Sequence, residues 1–350
     1  MNVTQGIVRV LTSRPVAGLF RPLVRDAVPI FMLHRFVDRD LGSEGLDPRV
    51  LRAQLEYLRK NKFDLVPVSA LTCDATQRRR SRPAVAFTVD DGYTDFASVA
   101  APVFAEFDCP VTVFVVTGTM DDDMWLWWDR VTYAFAATTR SSLLVEVAGR
   151  SMSYQWSGVQ TRAVAEAEFI EQLKTIADAD KLEILSRLDA LLDVDIPDVP
   201  PGVYSTMSWD ELRRFPAGGL VSFGPHTVTH PILPRATDAQ SSREILESWS
   251  RLRDECPTAV PVFCYPNGAY SAREVTTFLE SQLVGALTSE FRYASRCAFS
   301  ANDERRRYAV PRVASHDEFR HFVQIVNGIE RLKLGVRRAR SGWSTAGASS

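Results

Sequence analysis

Short apolar runs, rich in β-branched residues, recur along the chain, and each is closed by polar or turn-forming residues: 29–34, 63–68, 84–90, 111–117, 220–224, 260–265, 283–288 and 308–313. Between several of them the apolar positions switch to helical spacing. Val50, Leu51, Leu55 and Leu58 share one face of 48–60; Ile245, Leu246, Trp249 and Leu252 share one face of 241–253; segments 97–107 and 272–282 read alike. Strands that are apolar nearly throughout, alternating with amphipathic helices, predict a mostly parallel sheet covered by helices. About eight such strands suit an α/β fold of the distorted (β/α)7-8 barrel kind.

The alternation breaks between Trp125 and Ser205. Residues 160–193 are rich in Ala, Glu and Leu and predict helix almost throughout, ended by Pro197, Pro200 and Pro201. This reads as a helical insertion in the barrel (about 125–205), not an independent domain. The barrel then spans 29–325. A helical or peripheral segment, 1–28, precedes it, and a basic, then Ser/Gly/Ala-rich tail, 326–350, is expected to be disordered. Ile7–Val24 is apolar with interspersed arginines. A helix packed under the barrel is the first reading, and peripheral membrane association is the second. Residues 1–26 lack the sustained apolar core of a signal peptide, and no run reaches about 18 apolar residues. The expected location is therefore cytoplasmic, with membrane association as the variant.

Composition narrows the class. A chain of 350 residues that is 45% hydrophobic and 24% charged is ordinary for a globular protein. A net charge of −2 gives no electrostatic case for nucleic acid. Five cysteines, scattered and without C-x-x-C spacing, argue against a disulfide framework or a cysteine zinc site and fit a reducing compartment.

The chemistry-bearing residues fall at strand ends, where barrel enzymes keep their active sites. His34 closes the first run, Asp90-Asp91-Gly92 the third, and His226-Thr-Val-Thr-His230 follows the fifth. Tyr265-Pro-Asn267-Gly268 follows the sixth, and Arg312 and His316 lie at or after the last. Asp91, His226 and His230 are a complete ligand set for a catalytic zinc or another divalent transition metal, which takes three protein ligands and leaves a position for water. Two His four apart can share one face of a helical turn. Asp90 is then left over as a base for that water. Taken singly, Asp-Asp-Gly is more often a turn, and a lone His pair is more often capping or core; their joint placement at strand ends favours a metal hydrolase. Trp125, Trp127 and Trp128 cluster as well: they either anchor the insertion, the favoured reading, or stack on a sugar face.

Phe87-Thr-Val-Asp-Asp-Gly92, then Ser222-Phe-Gly-Pro-His-Thr-Val-Thr-His-Pro231, then Phe263-Cys-Tyr-Pro-Asn-Gly268 resemble the successive motifs of polysaccharide deacetylases, carbohydrate esterase family four with the NodB-homology fold. Met207-Ser-Trp-Asp-Glu-Leu212 and the opening Pro29-Ile-Phe-Met-Leu-His-Arg-Phe36 fit the same resemblance, which covers 29–325. It implies Asp90 as general base, Asp91, His226 and His230 as metal ligands, and the backbone N–H of Asn267 as an oxyanion donor. It implies a substrate that is an N-acetylated glycan or glycolipid. Two positions depart from the pattern. The motif arginine that orients the base is Cys264 here, and Arg312 either replaces it or is a packing arginine. The late histidine that serves as general acid has His316 as its best-placed candidate, while His321 lies on a predicted helix. Cys264 and the lack of a signal peptide keep open an amide hydrolase of a small non-sugar substrate; a non-catalytic glycan-binding relative is the third reading, and the intact Asp90, Asp91, His226 and His230 argue against it.

Overall fold

The computed structural model describes residues 14–72, 82–121, 124–147, 149–300, 304–315 and 317–335. Eight strands form the main sheet: β2 (Ile30–Leu33), β3 (Asp64–Leu65), β4 (Ala84–Val89), β5 (Val111–Val115), β8 (Val221–Pro225), β9 (Val262–Cys264), β10 (Gly285–Phe291) and β12 (Val310–Ala314); β1 (Ala27–Val28) and β11 (Ala294–Ser295) form a separate antiparallel pair. Seven of them run in the order β8-β5-β4-β2-β12-β10-β9, and β3 adds to β4. All these pairings are parallel. A further parallel bridge, Phe223 to Ala259, brings the chain entering β9 against β8, so the sheet nearly closes into a barrel. Each of the eight apolar runs overlaps one of these strands.

The closure follows from the residues. Every position of β4 and β5 is buried, as expected where a sheet is covered on both faces. In β4, Ala84 and Ala86 pack among Val28, Ile30, Val262, Leu287 and Val310. The alternate residues Val85, Phe87 and Val89 belong to the larger cluster shared with the helical layer. The helix Pro48–Lys60 is an example of that layer: Asp47 caps it by accepting from the N–H of Arg49, Pro48 occupies its first turn, and Leu51, Leu55 and Leu58 are buried.

The register levels the strand ends at one rim. Leu33 pairs with Val89 and Val115 with Pro225. The N–H of Asp90 donates to the carbonyl of Leu33, and that of His226 to the carbonyl of Val115. His34, Asp90 and His226 therefore emerge side by side.

The insertion differs from the expected near-continuous helix. It opens with the helix Trp127–Ala137 and then forms an antiparallel hairpin, β6 (Ser142–Val147) with β7 (Arg150–Gln155). Helices Val159–Leu173, Asp178–Ser186 and Leu188–Leu192 follow. These elements share a cluster of their own that includes Phe135, Trp156, Phe169 and Leu188. Leu143 and Val145 face that cluster while Leu144 is exposed, a half-buried strand pattern.

Both terminal segments, where described, pack against the barrel. Helix Arg14–Gly18 places Ala17 in the main core, and Arg21 bonds to Asn61 and Asn327. Residues 329–335 are helical and Ile329 is buried, so this part of the expected disordered tail is ordered. Residues 1–13 and 336–350 lie outside the described residues. Cys109, Cys256 and Cys264 are free and buried, and Cys297 is disulfide-bonded. Among the described residues no helix is long and apolar enough to cross a membrane.

Candidate metal centre and hydrolytic site

Asp90 and Asp91 leave β4 in different directions because the backbone turns between them. Asp91 and Gly92 both have left-handed φ, 72° and 76°. At Gly92 a Cβ would approach Val115 Cγ1 to 2.9 Å, so glycine is needed there for space as well as for φ.

Asp90 is buried and gripped by Arg312 from β12. Two bonds of 2.7 Å, Nη1 to Oδ1 and Nη2 to Oδ2, make the contact bidentate. Arg312 is itself fixed by bonds to the Thr288 carbonyl and to Thr88 Oγ1. Burial pushes the Asp90 carboxyl up, but the Arg312 charge and its hydrogen bonds outweigh it and hold the group well below the usual range. Asp90 is therefore ionised at any working pH. Cys264 Sγ sits 3.1 Å from Arg312 Nη2 and 3.5 Å from Asp90 Oδ2. The small thiol leaves the space that the Arg312 guanidinium fills.

Asp91, His226 and His230 converge. Asp91 Oδ1 lies 3.6 Å from His226 Nε2 and 3.5 Å from His230 Nε2, and the two Nε2 atoms are 3.2 Å apart. A tetrahedral ion about 2.0–2.2 Å from each ligand needs ligand atoms about 3.3–3.6 Å apart. The triangle fits zinc or a metal of similar size. His226 Nδ1 meets the Cys264 carbonyl at 2.7 Å, which places the proton there and turns the lone pair of Nε2 inward. Burial drives the His226 imidazole down to about 4 and His230 well below its ordinary value, leaving both neutral, as metal ligation requires. Burial, together with neighbouring Asp90 and Asp129, pushes Asp91 well up, a load that a bound cation would relieve.

The His pair is not on a helical turn. Residues 226–230 form a loop in which Thr227 and His230 take left-handed φ of 71° and 56°. Such values are rare for a β-branched residue and have to be held. Glu244, buried on helix Asp238–Glu255, does so by accepting from the N–H groups of Val228 and Thr229 and from Thr229 Oγ1 at 2.7–2.9 Å. Thr227 Oγ1 accepts from the N–H of His230. The sequence reading missed Glu244, whose signal was a carboxylate on the apolar face of a helix, beside Ile245.

The sequence profile of the family described as polysaccharide deacetylase matches residues 77–183 and 198–282, more than half of the chain. The chain belongs to the polysaccharide deacetylase family. Among solved structures, its fold is similar to the Streptococcus pyogenes deacetylase PplD in complex with acetate, at 15% identity and a TM-score of 0.50, covering 83% of this chain and 93% of that one. It is also similar to IcaB from Ammonifex degensii, at 15% identity and a TM-score of 0.51, covering 86% and 97%. At such identity the likeness concerns the fold alone. Comparison with curated proteins gave no significant match.

In this family member the four motif residues and Arg312 line one cleft of about 330 Å³, together with His34, Tyr265, Asn267, Gly268 and Ser289. Asn267 has a left-handed φ of 54°. His34 Nε2 is 3.9 Å from Asp90 Oδ2, and its side chain is 46% exposed, so it meets solvent and base together. Local desolvation lowers its pKa, opposed by the Asp90 charge. His316 lies outside the described residues. His321 is on the helix Phe319–Val326, 3.7 Å from Glu330. The tryptophans divide. Trp125 donates to the Pro197 carbonyl and packs on Tyr133 and Tyr204, an anchoring role. Trp127 and Trp128 line the cleft. The Trp128 ring lies 4.5 Å from that of His230, and its N–H donates to Tyr93, which donates in turn to Asp129.

Proposed function

We propose that the chain is a divalent-metal-dependent hydrolase that removes N-acetyl groups from amino sugars of a polysaccharide or glycan precursor. The observation carrying this reading is the meeting of an Arg312-held, ionised Asp90 with three acceptor atoms spaced for one ion. Asp91, His226 and His230 would hold the metal, by preference zinc, which when bound supplies Lewis acidity toward the acetyl carbonyl and the attacking water.

Asp90 takes the proton from that water. Arg312 keeps Asp90 ionised and fixes both of its oxygens, so the group does not rotate away from the proton it must accept. The backbone N–H of Asn267 donates to the oxyanion as the carbonyl carbon becomes tetrahedral. His316 is the proposed donor to the leaving amine, with His34 as the second imidazole at the rim. The Trp127 and Trp128 rings offer apolar surface to the C–H face of a pyranose. The cysteine at position 264 favoured a small non-sugar amide only while Asp90 lacked a guanidinium; the Arg312 contact removes that reason.

The test is acetate release from N-acetylhexosamine oligomers and polymers, run in parallel with a panel of small amides, using zinc-loaded and chelator-treated protein. Release from a sugar, lost on chelation and regained with metal, supports the reading. Turnover of a non-sugar amide alone would move the function to the other substrate class.

A further inference from the structure

The insertion supplies one wall of the catalytic cleft. Trp127, Trp128, Ile170 and Lys174 face the same space as Asp90, Asp91, His226 and His230. Lys174 caps the C-terminus of helix Val159–Leu173, where the helix dipole favours a cation. Its side chain is only 29% exposed, and its ammonium meets Glu171, which is 70% exposed, at 2.6 Å. A pair with so exposed a partner contributes little and is readily exchanged. One acceptor also leaves an ammonium with further donors to offer.

Arg312 is the other cation among the described residues lining the cleft, and Asp90 occupies it. Lys174 is thus the charge available to a substrate. Asp90 and Asp91 balance Arg312 and Lys174 in formal charge, so a cleft loaded with a divalent ion is net positive and draws anions.

We propose that Lys174 recognises an anionic group next to the acetamido sugar, making the preferred substrate an N-acetylhexosamine that bears a phosphate or a carboxylate. This rests on the deacetylase reading above and narrows its substrate class. The cleft of about 330 Å³ is consistent with a short or terminal unit, since small-ligand pockets span about 300–1,000 Å³.

Calorimetric titration of the zinc-loaded full chain with N-acetylglucosamine, its 1-phosphate and 6-phosphate, and N-acetylmuramic acid tests this. At least one anionic sugar should bind about tenfold tighter than the neutral one, as a charge-assisted contact allows. That advantage should vanish in Lys174→Gln, persist in Lys174→Arg, and shrink with added salt. Which ester or acid gains distinguishes phosphate from carboxylate. Three results would overturn the proposal: no advantage in wild type, an advantage that survives Lys174→Gln (phosphate resting on the metal), or an equal loss for neutral and anionic sugars (a wall residue only). Acetate release from the same sugars separates this inference from its parent. Preferential binding without any release would sink the deacetylase reading and leave the Lys174 contact in place.

Discussion

Replacing Arg312 by methionine isolates the interaction on which the base depends. Both partners are buried, and two 2.7 Å bonds join them. Burial alone can lift a carboxylate by up to about 3–5 pK units. In the wild type Arg312 more than cancels this, and Asp90 lies below its ordinary value. Without the guanidinium, burial acts unopposed and lifts Asp90 above the ordinary carboxylate range. A larger share of the base would then be protonated near neutrality, and a misplaced base can cost about 10²-fold more. The expected kcat/KM at pH 7 is therefore about 10²–10³-fold below wild type, with an acid limb displaced to higher pH than in wild type. Arg312→Lys, which keeps the charge but not the bidentate geometry, should fall between the two. Stability carries a second signature. A carboxylate with a depressed folded pKa stabilises above its unfolded value and loses that contribution as pH falls. The wild-type advantage in Tm, equivalent to about 3–5 kcal/mol for breaking a buried pair, should thus narrow on acidification. The assay is acetate release from pH 5 to 9.5 with thermal unfolding at matched pH. A methionine variant with the wild-type rate and the wild-type acid limb would refute the reasoning.

Other perturbations bear on different parts of the site. Cys264→Arg should lose most activity, because Arg312 already fills that space, whereas Cys264→Arg with Arg312→Val should be more active than either single variant; kcat/KM for the set decides it. Glu244→Gln removes the carboxylate that holds the Val228 and Thr229 amides and should weaken metal affinity about 10–100-fold, read by competition with a chelator. Asp129 is pushed up to about 6 by burial, against the Tyr93 bond. Its ionisation therefore opposes folding increasingly as pH rises from about 4 through 6. Asp129→Asn should gain roughly 1–3 kcal/mol at pH 8, about half of that at pH 5 and little at pH 3.5, measured as Tm across the three pH values.

Local pattern was enough for the strands and their ends, because eight apolar runs closed by polar residues require no knowledge of tertiary contacts. The same rule put Asp90, Asp91, His226 and Asn267 at one rim. The Asp90–Arg312 pair could be stated only as one of two readings, since β12 reaches β4 across β2 and the side chain must span the barrel interior. The histidine loop was misread as a helical turn because nothing local marks Thr227 or His230 for left-handed backbone; Glu244, on a later helix, imposes it. The hairpin β6–β7 was missed although Leu143 and Val145 alternate with exposed neighbours, a pattern too short to compete with the helical composition around it. The placement of Trp127, Trp128 and Lys174 in the cleft depends on how the insertion folds back over the rim, which no spacing within it reports.

The central claim is that Asp90 acts as the base beside an ion held by Asp91, His226 and His230. Its most direct test is Asp90→Asn, with metal content and acetate release measured on the same preparation. The account expects one divalent ion per chain, as in wild type, and a loss of acetate release of about 10³-fold or more, since Asn accepts no proton. An Asp90→Asn protein that keeps its metal and works within tenfold of wild type would contradict it.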